Sequence, residues 1–187
     1  GNVIITDIDG NILKTNKATY DKINEEIFTY NNTEIKLIEG YKLISENVFY
    51  KTDEKILNSN EQSIFTDSDG NIIKTDMFQY NINNNLFSSI GEIKIVDKNK
   101  NKYFFKQLHV DTNKKEMIGS DVSVILDQDT FGVSNESDPR FVANNIFITE
   151  RKSELSKGVF TVCKKREGKC PPWLLKAKKI SHDKAKK

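Results

Sequence analysis

Thr6-Asp7-Ile8-Asp9-Gly10-Asn11-Ile12-Leu13-Lys14-Thr15 returns sixty residues later as Thr66-Asp67-Ser68-Asp69-Gly70-Asn71-Ile72-Ile73-Lys74-Thr75. Such self-similarity marks a stack of repeated structural units. The true period is half that offset. Tyr20, Tyr50 and Tyr80 are thirty residues apart, and Val110 takes the next place. Ala18, Val48, Phe78 and Leu108 lie two residues before each, and Asp21, Lys51, Asn81 and Asp111 lie one after. Turn signals keep the same spacing: Asp9-Gly10, Glu39-Gly40, Asp69-Gly70, Asn99-Lys100, then the region of Asp129 to Gly132.

The local period identifies the units. Ile35 and Leu37, Ile93 and Ile95, and Val122, Val124 and Leu126 alternate with polar residues. A period of two belongs to strands with one buried face. Ile, Val, Thr, Phe and Tyr fill these segments, as strands prefer. Asn, Asp, Gly, Lys and Ser cluster between them, as turns prefer. No twelve-residue segment has a 3.6-residue period. Each unit therefore predicts two strands of roughly 6 to 12 residues and two turns. The polar segment 133–140 interrupts the repeat. The pattern resumes over 141–149 and 155–163, and a last strand runs over 173–180, ending in His182-Asp183.

Composition narrows the classes. The 187 residues are 36% apolar with mean hydropathy −0.59, and 29 basic against 27 acidic side chains leave a net charge of +2. No run of about 18 apolar residues offers a membrane-spanning helix, and the start lacks the basic and apolar blocks of a secretory leader. Two cysteines cannot staple a disulfide-rich scaffold. The length suits one domain over residues 1–187. The charge is uneven: residues 1–150 hold 16 basic and 24 acidic side chains, net −8, whereas 151–187 hold 13 and 3, net +10. A basic block can signal nucleic acid or anionic lipid.

The chemical motifs favour structure over catalysis. Asp-x-Asp-Gly-Asn resembles a calcium loop, but no bidentate Glu follows at the twelfth position. Asp-Gly and Gly-Asn instead supply the positive φ angles of tight turns. His109 and His182, the two histidines, lack metal-ligand spacing. Cys163 and Cys170 read as a local disulfide or two free thiols. No nucleophile elbow or phosphate-cradling glycine loop is present. The informative constellation is the stripe Ala18, Tyr20, Val48, Tyr50, Phe78, Tyr80, Leu108 and Val110. In stacked units it forms two rows on one inner face. A folded-over sheet so lined encloses either a packed core or an apolar slot suited to acyl chains.

The C-terminal third resembles a known family. Gly158, Phe160, Thr161 and Cys163 fit a G-x-[YF]-T-x-C strand. Pro171, Trp173, Leu175, Ala177, Ile180, His182 and Asp183 fit P-x-W-x-[IL]-x-A-x-x-[IV]-x-H-D. Both look like the close of the periplasmic domain in the outer-membrane lipopolysaccharide-assembly family LptD, also called OstA. The preceding repeats are similar to units that family shares with the bridge proteins LptA and LptC. The resemblance implies an all-β fold, a β-jellyroll of stacked antiparallel strands. It implies a non-enzymatic, cofactor-free role: lipopolysaccharide rides with its acyl chains in the groove lined by the stripe. The cargo would come from an LptA-like bridge protein paired to the N-terminal edge strand. It would pass to a β-barrel, absent from this chain, and its LptE-like lipoprotein. The expected location is the periplasmic face of the outer membrane, with no nucleic-acid partner. Family cysteines bond to cysteines of the barrel; here a local Cys163–Cys170 disulfide is the simpler expectation. Lys176, Lys178 and Lys179 are candidate contacts for head-group phosphates. The competing readings are a carbohydrate-active enzyme with a convergent acid cluster, and an adhesive module that binds protein by its edges around a filled core.

Overall fold

A computed structural model describes residues 2–134 and 136–183. Fifteen strands follow one another: β1 (Val3–Thr6), β2 (Ile12–Asp21), β3 (Glu26–Lys36), β4 (Lys42–Glu46), β5 (Phe49–Lys51), β6 (Ile56–Ser59), β7 (Ser63–Thr66), β8 (Ile72–Thr75), β9 (Phe78–Asn81), β10 (Leu86–Val96), β11 (Lys102–Asp111), β12 (Glu116–Ile125), β13 (Arg140–Ile148), β14 (Lys152–Thr161) and β15 (Leu175–Asp183). All pairs are antiparallel and join into one sheet. A single helical turn, α1 (Gln128–Phe131), precedes the polar interruption. Sequence periodicity had placed only a turn there.

The sheet is folded along its middle, as a β-jellyroll requires. One half holds β1, β4, β7, β8 and the segments 12–15, 33–36, 93–96, 102–105, 122–125, 140–143, 158–161 and 175–177. The other holds β5, β6, β9 and the remaining halves of the long strands. Long strands cross the crease through kinks, with register shifts between Thr15 and Lys17 and between Ile90 and Ile93. In the second and third units the kinks cut each strand in two. The expected 6 to 12 residues become pieces of 3 to 5, β4 through β9. The cause is local: Asn47 takes φ 50°, and the neighbouring Ser and Thr hydroxyls bond backbone at the bend.

Thirty-residue spacing is written into the backbone. Gly10, Gly40, Gly70 and Lys100 have positive φ at one set of turns, and Glu25, Lys55, Asn85 and Lys115 at the other. The Asp-x-Asp-Gly-Asn motif is a turn staple. Asp7 accepts from the N–H of Asp9 and Asn11 and from the Asn11 amide (2.8–3.0 Å), and Asn11 Oδ1 accepts the N–H of Ile38 on the next turn (3.0 Å). Asp67-Asn71 and Asp97-Asn101 repeat this and reach Lys98 and Asp127. These carboxylates are occupied by N–H donors, which favours the turn reading over calcium.

Partial burial pushes the Asp7 carboxyl up, but the hydrogen bonds from Asn11, Asp9 and Gly10 outweigh it and hold it below its usual value of 3.8. Asp7 therefore adds stability above about pH 4 that disappears as pH falls through its lower folded value. Melting temperature between pH 5 and pH 2 should fall less steeply in Asp7→Asn than in the parent. Identical slopes would remove the staple from the account.

The apolar interior as candidate functional site

Alternation places one side chain in two on the inside, and cross-strand pairing aligns them into ladders. On one half, Tyr20, Ile27, Tyr50, Leu57, Tyr80, Phe87, Val110, Met117 and Ile148 follow one another across successive strands. On the facing half, Ile5, Leu13, Ile35, Leu43, Phe65, Ile73, Ile95, Tyr103, Val124, Phe141, Phe160 and Leu175 do the same. The halves meet in an aromatic contact: Phe65 lies 5.2 Å from Phe87 and 6.0 Å from Tyr80, and Phe78 stacks on Phe87 at 6.2 Å.

Of the eight stripe residues, Val48, Tyr50, Phe78, Tyr80 and Leu108 are buried, and Ala18 and Val110 pack half-buried against them. Thr19 and Gln79, one residue away, are exposed. Tyr20 differs. It keeps its place in the ladder opposite Ile27, but it is 60% exposed. β1 pairs only with residues 12–15 of β2, so among the described residues no strand covers residues 17–21 from outside. Tyr20 thus marks an uncapped end of the interior, not its lining.

The middle of the stack is packed, not hollow. The cavity between the halves near Ile5, Leu13, Ile35, Tyr50 and Leu57 measures ≈20 Å³, room for about one water. No open slot runs between the half-sheets at this position, where Leu13, Ile35, Tyr50 and Leu57 are buried. Two kinds of bond flank this core. Along the crease runs a buried hydroxyl belt: Thr33 Oγ1 donates to Thr29 Oγ1 (2.7 Å), Ser45 pairs with Ser63 (2.7 Å), and Thr75 pairs with Ser89. Along the opposite edge the contacts are long or exposed. Tyr41 OH donates to the Thr112 carbonyl at 3.5 Å, Tyr80 OH meets Thr112 Oγ1 at 3.5 Å, and Lys55 pairs with Asp9. Burial pushes the phenols of Tyr41, Tyr50 and Tyr80 up, so they stay neutral donors at neutral pH.

Both ends of the ladders reach water. At the first, Tyr20 is exposed and Ile5 half-buried; at the last of the facing ladder, Leu175 is exposed. β15 packs its inner residues only half-buried or less.

The other candidates resolve as follows. Cys163 and Cys170 are both free thiols, so the expected bridge is not formed in this structure. Cys163 instead donates to the Trp173 carbonyl at 3.8 Å. Its thiol is pulled down by the Thr161 hydroxyl first, against slight desolvation, then by Trp173, Arg140 and Arg166. His109 is exposed and shares a hydrogen bond with Ser88 (2.9 Å); the side chain of His182 lies outside the described residues. Lys176, Lys178 and Lys179 are exposed, and Lys179 pairs with Glu154 at 3.0 Å. An outer cleft at the crease, ≈750 Å³, gathers Glu46, Glu61, Asp76 and Glu92 with Lys74 and Lys94. Among the described residues no three His, Cys, Asp or Glu side chains are grouped to hold a metal.

Sequence reasoning missed the facing rows. Among the described residues, Ile27, Leu57, Phe87 and the Leu13-to-Ile95 run of the facing ladder supply nine of the 22 buried core residues. Their signal was the same alternation, read over all strands and not only at the tyrosines.

A solved structure with the same architecture is LptH of Pseudomonas aeruginosa, the LptA-homologous periplasmic component of a lipopolysaccharide transport device. It superposes with TM-score 0.54 and 15% sequence identity, covering 60% of this chain and 82% of that one. The fold is the LptA-type β-jellyroll. No family model matches the chain, and no curated protein does.

Proposed function

We propose that this domain carries the acyl chains of lipopolysaccharide between its two half-sheets. The observation that supports the reading is the unbroken inner ladder from Tyr20 to Ile148, open to water at its Tyr20 end. The architecture shared with LptH supports it further. With a cavity of ≈20 Å³, cargo enters only as the halves part. The crease is the natural hinge, since its buried hydroxyls are mutually satisfied. The opposite edge is the natural mouth, because exposed ion pairs hold it by no more than about 1 kcal/mol each. In the finer reading the chain is the periplasmic part of an LptD-type protein of the outer membrane. β1 then offers its unpaired edge to an LptA-like bridge protein by strand addition. The end at β15 feeds a β-barrel and its LptE-like lipoprotein. Catalysis has no part in it.

The filled core favours a second reading, a stack that binds protein by its edges alone. One experiment separates the two. A photo-crosslinking residue is placed at Val110 or Tyr80 on the inner row, and at Gln79 on the outer face, and the purified protein is irradiated with lipopolysaccharide. Adducts from the inner positions alone are expected. Adducts only from Gln79, or none from a folded Val110 variant, would refute lipid carriage.

A further inference from the structure

The end of the stack at β15 carries a surface that packing of the interior does not require. Between β14 and β15 the chain makes a hairpin. Thr161 Oγ1 donates to the Trp173 carbonyl at its base (2.9 Å), and Arg166 pairs with Lys169 near its tip. Lys164, Lys165, Arg166 and Lys169 are all exposed, with Glu167 as the one acid among them. Among the described residues none of these four cations makes an ion pair. Directly after them Trp173, Leu174 and Leu175 stand 48%, 41% and 54% exposed.

We infer that this hairpin docks on a bilayer surface containing anionic phospholipid. Three observations converge. The cations are gathered beside three consecutive apolar side chains, and an anionic interface takes up both at once. Each Lys or Arg is drawn by the negative surface, while a Trp ring with Leu beside it settles at headgroup depth. Nucleic acid matches the charge but leaves Leu174 and Leu175 in water. Residues 1–150 have the opposite sign, net −8, against net +10 over residues 151–187. An anionic surface therefore repels the stack and attracts its end, so the domain stands end-on. The inference does not rest on lipid inside the fold.

Trp173 is the one tryptophan, so intrinsic fluorescence reports this hairpin alone. The full chain is mixed with phosphatidylglycerol–phosphatidylcholine vesicles at low salt. A blue shift and co-flotation are expected, fading as salt rises, with neither on pure phosphatidylcholine. The K164Q/K165Q/K169Q triple variant, altered only at exposed loop positions, should partition about 100-fold less, at roughly fivefold per lysine lost. No shift on anionic vesicles, an equal shift on neutral ones, or undiminished partition of a folded triple variant would overturn the inference. So would a shift with lipopolysaccharide micelles alone, which would assign the lysines to cargo head groups. The vesicles contain no lipopolysaccharide, so failure here leaves the crosslinking result from Val110 and Tyr80 untouched, and the converse holds.

Discussion

Phe87→Ala is expected to remove about 3–5 kcal/mol of unfolding free energy, a large share of the 5–15 kcal/mol typical of a domain. Phe87 is 1% exposed and touches aromatic rings from both half-sheets, Phe65 at 5.2 Å and Phe78 at 6.2 Å. Truncation leaves a hole where the two faces meet. Its neighbours are fixed by ladder hydrogen bonds on their own strands and cannot close in. The urea midpoint should fall with an unchanged slope, the sign of lost stability without a changed denatured state. A loss under about 1 kcal/mol would mean that the interior yields readily, and that the packed core misdescribes the middle of the stack.

Gly119→Ala should cost about 3 kcal/mol, at the upper end for overpacking. Gly119 sits in the ladder between Leu108 and Ile146. Its backbone is ordinary; the space is the constraint. A Cβ there would lie 2.3 Å from Phe105 Cδ1 and 2.6 Å from Cε1. Phe105 is 2% exposed and stacks on Tyr103 at 6.5 Å, so the ring has no exit. Gly158→Ala is the matched control. Its Cβ would meet Ile180 Cδ1 at 2.6 Å, but that atom is the tip of a flexible side chain on the edge strand. Rotation relieves it, and the loss should stay under about 1 kcal/mol. Equal losses at the two glycines in thermal unfolding would contradict this account.

These contrasts show what the amino-acid order carries and what it leaves out. The repeat, the strands, the turn staples and the inward parity of Val48, Tyr50, Phe78, Tyr80 and Leu108 were all legible, because alternation and turn chemistry are local. The exposure of Tyr20 was not. It depends on how far β1 extends beside β2, a matter of pairing between segments. The broken strands β4 to β9 escaped because Ser59, Ser63 and Thr75, whose hydroxyls bond backbone at the bends, are residues that strands also tolerate. The packed interior escaped for another reason. Period-two patterning fixes which face is apolar but not how far apart two such faces rest.

The recurrence of positive φ at Gly10, Gly40, Gly70 and Lys100, mirrored at Glu25, Lys55, Asn85 and Lys115, makes the molecule a ruler. Each thirty-residue module adds two strands to each half, which at strand spacing lengthens the span by about 10 Å. Strand pairing joins each module to its sequence neighbours, so cohesion accumulates largely link by link. A lineage could therefore match the distance between two fixed anchors by gaining or losing whole modules, leaving the cross-section unchanged.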